Sequence, residues 1–159
     1  MISLIASVGK NLEIGKAGDL AFEGRGELGY FKDTTMGRKI LMGSRTYESL
    51  PRRLEGREYF VVATNDDFPD WVNVVNDPET FLKKWQQNQE EIFVIGGGMI
   101  YALALPYASK LYLTEIDGTC DGADTFFPKF NHSEFRQEFI ENGTYDSGTK
   151  FQRFIYARK

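Results

Sequence analysis

Six short apolar runs divide the chain, and polar or glycine-containing segments separate them. The runs are rich in β-branched residues, so each predicts a buried strand. In chain order they read MISLIASV, KILMG, YFVVAT, VNVV, IFVIG and LYLTEI.

Helical patterns lie between these strands. A glycine-rich loop precedes a predicted helix over Gly26–Met36. In NDPETFLKKWQQ, Asp77 is placed to cap a second helix and Pro78 to be its first residue. Ser44 or Thr46 is placed to begin a further short helix.

In the last third of the chain, apolar and polar residues alternate on either side of a turn-rich segment. SEFRQEFIE and KFQRFIYARK flank the turn-rich segment NGTYDSGT, which predicts a long antiparallel hairpin. Strands that alternate with helices and end in a hairpin predict an α/β fold with a mostly parallel mixed sheet and an antiparallel edge. The 159 residues contain no internal repeat or linker, so we expect a single domain over residues 1–159.

Composition narrows the classes of function. A net charge of -4 and a pI near 5.1 argue against nucleic acid or an anionic membrane as partner. The single cysteine, Cys120, cannot form an internal disulfide, and no apolar run is long enough for a membrane span. The single histidine, His132, argues against a serine–histidine triad or a multi-histidine metal site. We therefore expect a cytoplasmic protein without a metal.

Two features could bind an anion. Residues 32–57 carry seven basic and three acidic side chains. This excess of positive charge could attract a small anion, or it could form a basic surface exposed to solvent. The strand IFVIG runs into Gly96, Gly97 and Gly98, although a glycine within an element costs roughly 0.5–1 kcal/mol. The dinucleotide pattern G-x-G-x-x-G fails because its last glycine would fall on Tyr101. The pattern alone leaves open a phosphate cradle or a tight turn.

Glu27 is the candidate catalytic carboxylate, because neither the single histidine nor the single cysteine is a promising catalytic group. It lies near the start of the first predicted helix, next to Leu28 and one turn before Phe31. The alternative is an acid that stabilises the start of a helix through the helix dipole.

Several longer blocks carry a resemblance to a known family. The chain contains MISLIASVGKNLEIGKAGDL, GELGYFKDTTMGRKILMGSRTYESL, LEGREYFVVAT, IFVIGGGMIYALALPYASKLYLTEID and GADTFFP. In this order and at this spacing they resemble dihydrofolate reductases of the bacterial chromosomal type. The resemblance covers essentially the whole chain and implies a three-layer α/β fold with helices on both faces of the sheet.

The resemblance also implies an activity. It implies an oxidoreductase of one-carbon metabolism, and an antifolate target, that reduces 7,8-dihydrofolate to tetrahydrofolate with NADPH. A monomer is expected. Two alternatives stay open: a reductase of another pterin or of a pyrimidine, and a folate- or nucleotide-binding module that has lost catalysis.

Positions that match the motifs of the family imply which residues form the site. Glu27 and Thr114 would act on the pterin, with Glu27 fixing its orientation and favouring a proton at N5, and Arg57 would bind the substrate's α-carboxylate. The implied substrate-binding residues are Ile5, Glu27, Leu28, Phe31, Leu50, Arg52, Arg57, Ile95, Tyr101 and Thr114. The implied cofactor-binding residues are Ser7, Ile14, Gly15, Leu20, Gly43, Ser44, Arg45, Thr46, Thr64, Asn65, Ile95, Gly96, Gly97, Gly98, Met99, Ile100 and Tyr101.

The family also implies a cis peptide between Gly96 and Gly97, and a loop over residues 9–24 that closes on the nicotinamide and is steadied by the loop of Asp124. The chain departs from the family pattern at three places. Ala21-Phe22 replaces a proline–tryptophan pair, Ser44 replaces an arginine, and Ala123 replaces a glycine.

Overall fold

The computed structural model of the chain describes residues 1–22 and 25–159, and the side chains of residues 25–27 lie outside the described part. The strands are β1 Ile2–Val8, β2 Glu13–Lys16, β3 Asp19–Leu20, β4 Lys39–Gly43, β5 Glu58–Val62, β6 Val72–Val75, β7 Ile92–Gly96, β8 Lys110–Ile116, β9 Thr125–Phe126, β10 Phe135–Thr144 and β11 Lys150–Arg158. The helices are α1 Arg25–Thr35, α2 Ser44–Ser49, α3 Pro78–Gln86 and α4 Gly98–Ala104, with short 3-10 turns at Leu105–Tyr107 and His132–Glu134.

Eight strands form one sheet in the order β10-β11-β8-β1-β7-β4-β5-β6. The pairings from β8 through β6 are parallel, while β11 pairs antiparallel with both β8 and β10. The predicted parallel sheet with an antiparallel terminal hairpin is confirmed.

Both faces of the sheet are buried, because alternate residues of each central strand enter different apolar clusters. One cluster contains Leu4, Leu41 and Val94 together with side chains of α3 and α4. The other contains Ile5 and Phe93 and is packed by side chains of α1 and α2. This alternation places helices on both faces, as the resemblance implies.

The six predicted strands and the predicted helices are all present within one or two residues. Asp77 caps α3, since its Oδ1 accepts the backbone N–H of Thr80 at 3.2 Å and Pro78 follows as the first helical residue. The structure adds a small sheet of order β3-β2-β9 that the apolar pattern did not predict. In the part of the chain that is described, no helix is long and apolar enough to cross a membrane.

Candidate active site

The candidate site lies on the α1 side of the sheet, near the carboxyl ends of its central parallel strands. Ile5 of β1 and Ile95 of β7 belong to one apolar cluster with Phe31 of α1 and Leu50, which follows α2. Four of the predicted substrate-binding side chains are thereby brought together. Clefts at this edge of an α/β sheet are common ligand sites.

Thr114 supplies an unsatisfied polar group beside this cluster. It is 1% exposed and pairs in register with Ser7 of the neighbouring strand β1. Its Oγ1 is buried and makes no hydrogen bond to any group in the described part of the chain. A buried hydroxyl without a partner costs about 1–3 kcal/mol, so this atom is suited to a ligand's polar group.

The predicted residues of α1 are only partly described. The side chain of Glu27 lies outside the described residues, although its position falls within α1. Leu28 is 54% exposed and follows it directly on the same helix. An apolar side chain of this size, left exposed beside a cleft, can cover a bound ring.

Arg57 is held in place by three protein acceptors. Its Nε donates to Oγ1 of Thr35 at 3.2 Å, and its Nη1 donates to the carbonyl of Glu55 at 2.5 Å. Its Nη2 donates to the carbonyl of Lys32. Guanidinium has five N–H donors, so one on each terminal nitrogen is left for a carboxylate. By contrast, Arg52 is exposed.

Thr35 was not predicted to take part. It is fully buried, and its hydroxyl donates to the carbonyl of Phe31 at 2.8 Å while it accepts from Arg57. It therefore ties the arginine to the end of α1. No local sequence signal distinguishes this threonine from any other residue of the last helical turn.

The carboxyl ends of β4 and β7 form what we call the glycine wall, made of Gly43, Gly96, Gly97, Gly98 and Thr46. The peptide between Gly96 and Gly97 is cis, as predicted. A Cβ on Gly96 would lie 3.1 Å from Oγ1 of Thr46, one on Gly97 would lie 3.3 Å from the same atom, and one on Gly43 would lie 3.1 Å from Cγ1 of Ile100. The strand ends approach these side chains so closely only because the glycines lack a Cβ.

Further predicted cofactor residues surround this wall. Ser44 and Arg45 open α2, and β5 pairs in register with β4 as far as Gly43, so that Thr64 and Asn65 follow at the same edge. Arg45, Thr64 and Asn65 are exposed.

In α4, Met99 is 78% exposed, whereas Ile100 and Tyr101 are buried. The hydroxyl of Tyr101 donates to the carbonyl of Ile5 at 2.7 Å, and burial raises the pKa of Tyr101. Of these three side chains, only Met99 is therefore open to a ligand from solvent.

Residues 9–22, which we call the covering segment, carry Ile14, Gly15 and Leu20. Ile14 packs against the core, whereas Leu20 is 75% exposed. Asp124 anchors the segment, since its Oδ2 accepts the backbone N–H of Ala17 at 2.9 Å and its own N–H donates to the carbonyl of Gly15 at 3.0 Å. The predicted support from the loop of Asp124 is thus present as a contact.

Glu13 is a second anchor that the sequence did not reveal. It is 2% exposed, and its Oε1 accepts the N–H of Asn11 at 2.7 Å while its Oε2 accepts the N–H of Cys120 at 2.7 Å. Burial by itself would raise the pKa of Glu13, but the backbone donors of Cys120, of Glu13 itself and of Asn11 together leave it lowered.

These residues fit NADPH, the cofactor that the resemblance implies. The glycine wall presents main chain without side chains at the carboxyl edge of the sheet, where a phosphate group can come close to backbone N–H groups, and the exposed Arg45 lies at the same edge. Among the described residues, no group of three or more histidine, cysteine, aspartate or glutamate side chains could hold a metal ion.

Known proteins resemble the chain along nearly its whole length. The family model described as "Dihydrofolate reductase" matches residues 1–158. The dihydrofolate reductase of Bacillus subtilis (strain 168) is 38% identical over 162 residues, covering 100% of this chain and 95% of the relative. The dihydrofolate reductase type 3 of Salmonella typhimurium is 41% identical over 134 residues, covering 82% and 80%, and the dihydrofolate reductase of Staphylococcus haemolyticus is 33% identical, covering 99% and 95%.

Proposed function

The chain belongs to the dihydrofolate reductase family, and from this premise we propose how its residues carry out the reaction. The protein is an NADPH-dependent oxidoreductase that reduces 7,8-dihydrofolate to 5,6,7,8-tetrahydrofolate. NADPH supplies the hydride that is added to C6 of the substrate. The chain's own residues bind, orient and desolvate the substrate and favour a proton at N5.

Arg57 carries the proposal for substrate binding. Arg57 is 6% exposed and its guanidinium is fixed by Thr35, Glu55 and Lys32, so little freedom is lost when a carboxylate binds. The two remaining terminal N–H groups match the two oxygens of the substrate's α-carboxylate. This buried arginine, oriented in advance by three hydrogen bonds, is the observation that best supports a folate substrate.

Thr114 and Glu27 are proposed to hold the pterin. The buried Oγ1 of Thr114 gains a partner when the pterin's 2-amino group donates to it. Glu27 is proposed to accept hydrogen bonds from the 2-amino group and a ring nitrogen, which fixes the ring's orientation. Its negative charge favours the protonated form of N5, with water as the final proton donor.

The glycine wall is proposed to hold the cofactor's pyrophosphate, with Thr46 and the main chain of Gly97, Gly98 and Met99 as hydrogen-bonding groups. Arg45 and Thr64 are proposed to bind the adenosine 2′-phosphate. Ser7, Ile14 and Leu20 are proposed to contact the nicotinamide, since Ser7 lies beside Thr114 and Leu20 is exposed for contact.

The protein is further proposed to be one domain that works as a monomer in the cytoplasm. One eight-stranded sheet contains the first strand, β1, as well as the last two, β10 and β11, which favours a single domain. Light scattering at assay concentrations tests the monomer, and cell fractionation tests the compartment.

Two measurements test the function. NADPH oxidation is followed with and without dihydrofolate, and a rate that does not depend on dihydrofolate contradicts the proposed reaction. Glu27→Gln should then lower the single-turnover rate at neutral pH by roughly 10²-fold. Acid should partly restore it, because more substrate is protonated before it binds; a folded variant with the parent's rate and pH profile contradicts the role of Glu27.

A further inference from the structure

The loop that follows β1 makes an unusual inward turn before β2. Leu12 has a φ of 66°, a conformation that leucine rarely adopts, and its N–H donates to the carbonyl of Gly9 at 3.0 Å. The turn directs Glu13 into the protein, where only 2% of it is exposed. A residue held in such a conformation indicates that surrounding contacts fix the turn.

The carboxylate of Glu13 joins two separate loops. Asn11 belongs to the covering segment, whereas Cys120 lies in the loop between β8 and β9, 107 positions further along the chain than Glu13. Each backbone N–H donates to a different carboxylate oxygen at 2.7 Å. Hydrogen bonds to a charged acceptor are roughly twice as strong as neutral ones, and burial strengthens them further.

Gly9 makes room for this arrangement. A Cβ at Gly9 would lie 2.5 Å from Oε1 of Glu13 and 2.7 Å from Cζ of Phe22. No side chain fits at position 9 unless the carboxylate or the aromatic ring moves. The carboxylate, the glycine and the ring at the far end of the covering segment therefore pack as one unit.

The anchor lies close to the residues proposed to face the nicotinamide. Ile14 is the next residue after Glu13, and Ser7 lies on β1 just before the turn. A displacement of a reacting group by about 1 Å can lower a rate by about 10²-fold. The position of Ile14 thus depends on whether Glu13 holds its two N–H donors.

We propose that Glu13 is a positioning residue for the reduction: its buried carboxylate fastens the covering segment to the Cys120 loop and so holds Ile14 over the nicotinamide. The inference rests on the proposed function, because Ile14 is assigned to the cofactor there. The contact is distinct from that of Asp124, which lies on the exposed side of the same loop.

Glu13→Gln tests the proposal with little change in size. An amide can turn only one acceptor oxygen toward two N–H donors, so one of the donors at Asn11 and Cys120 then faces an NH₂ group. We expect a single-turnover rate about tenfold lower, weaker NADPH binding and an unchanged KM for dihydrofolate. Amide exchange at Asn11 and Cys120 should become faster, which reports on the contact without any catalytic assay.

Glu91→Gln is the matched control. Glu91 is also a buried carboxylate, 7% exposed, and accepts from Oγ of Ser3 at 2.5 Å at the opposite end of β1. The Glu91→Gln substitution should lower thermal stability without changing the NADPH affinity or the single-turnover rate. Gly9→Ala should reproduce the effects of Glu13→Gln with the carboxylate intact, and it serves as the test if the glutamine variant does not fold.

The outcomes separate the two proposals. If the unaltered protein does not oxidise NADPH in the presence of dihydrofolate, the proposed function fails. If it does, and Glu13→Gln exchanges its amides faster yet keeps the parent's rate and NADPH affinity, Glu13 has only a structural role and this inference is overturned.

Discussion

The glycine wall and the covering segment, which we propose to enclose the cofactor from two sides, keep their shapes by different means. The wall is made of main chain at the ends of β4 and β7, two strands that pair along their length in the centre of the sheet. The covering segment has the short ladders of β2 with β3 and β9 and a few separate main-chain hydrogen bonds, such as that from the N–H of Lys10 to the carbonyl of Gly118 at 2.9 Å. Two carboxylates, Glu13 and Asp124, supply the remaining side-chain anchors described above.

This difference predicts different responses to mutation. A substitution in the wall introduces strain that the structure cannot relieve, because the neighbouring strands fix the main chain. A change in the covering segment removes one of several contacts and shifts how often the segment is closed. Substitutions on the fixed side should therefore weaken binding strongly, whereas those on the covering side should change rates by smaller factors.

The largest effect is expected for Arg57→Leu, because this guanidinium, like the wall, is held by main chain that is fixed: Arg57 lies directly before β5 and donates to the carbonyls of Glu55 and Lys32. Loss of one partner of a desolvated charge pair costs about 2–5 kcal/mol, so the Kd for dihydrofolate should rise by at least about 30-fold. Arg53→Leu is the control, because Arg53 is exposed and its guanidinium lies 4.2 Å from the ring centre of Trp71. Unchanged binding of dihydrofolate to a folded Arg57→Leu variant would contradict the assignment.

Gly96→Ala should have the next largest effect. Gly96 has a φ of 145°, and a Cβ there would lie 3.1 Å from Oγ1 of Thr46, so both backbone and neighbour resist the change. We expect the free energy of unfolding to fall by about 1–3 kcal/mol and the kcat/KM for NADPH by about 10²-fold. Gly148→Ala in the β10–β11 turn is a matched control: its φ is 91° with no atom near its Cβ, so only stability should fall.

The fixed side was also the easier one to predict from the sequence. Continuous apolar runs such as IFVIG predict its strands, and the three glycines mark where the strand β7 ends. The covering segment gave no such signal, because β2 is stabilised by β9, more than 100 positions away.

Individual side chains of the site were harder to predict. A glutamate between Leu12 and Ile14 suggests a solvated loop, and its burial follows only from two backbone donors that the fold brings to it. The role of Thr35 was equally hard to predict, because it depends on a hydrogen bond from Arg57, which lies outside the helix α1 that contains Thr35. Family motifs named the residues that are proposed to touch ligands, but not these supporting ones.

On the covering side, Asp124→Asn should slow the single-turnover rate by less than about tenfold, because Asp124 is exposed and other contacts to the segment remain. Asp121→Asn, an exposed acid in the same loop, is the control. Loss of all activity in a folded Asp124→Asn variant would show that this anchor is as rigid as the glycine wall.

The same anchor should depend on pH. The N–H of Ala17 and the hydroxyl of Thr125 lower the pKa of Asp124 below its ordinary value of 3.8. A lowered folded-state pKa means that the contribution is present above 3.8 and is lost as pH falls through the lower folded value. Amide exchange at Ala17, corrected for the intrinsic pH dependence, should keep most of its protection at pH 3.8, where a carboxyl with the ordinary pKa would be half protonated; a midpoint of the loss of protection at or above pH 3.8 would contradict a lowered pKa.

The smallest effect is expected for Phe22→Trp at the end of the covering segment. Phe22 packs over Gly9 and near Gly118, where a Cβ would lie 3.7 Å from its ring, so at these two positions a larger ring meets main chain and no side chain. The family usually places tryptophan here, and its indole N–H would add one donor near the substrate. Any change in rate should stay within about tenfold, or 1.4 kcal/mol. Complete loss of activity in a folded variant would mean that the covering segment, like the glycine wall, tolerates no displacement, and the contrast between the two sides of the cleft would fail.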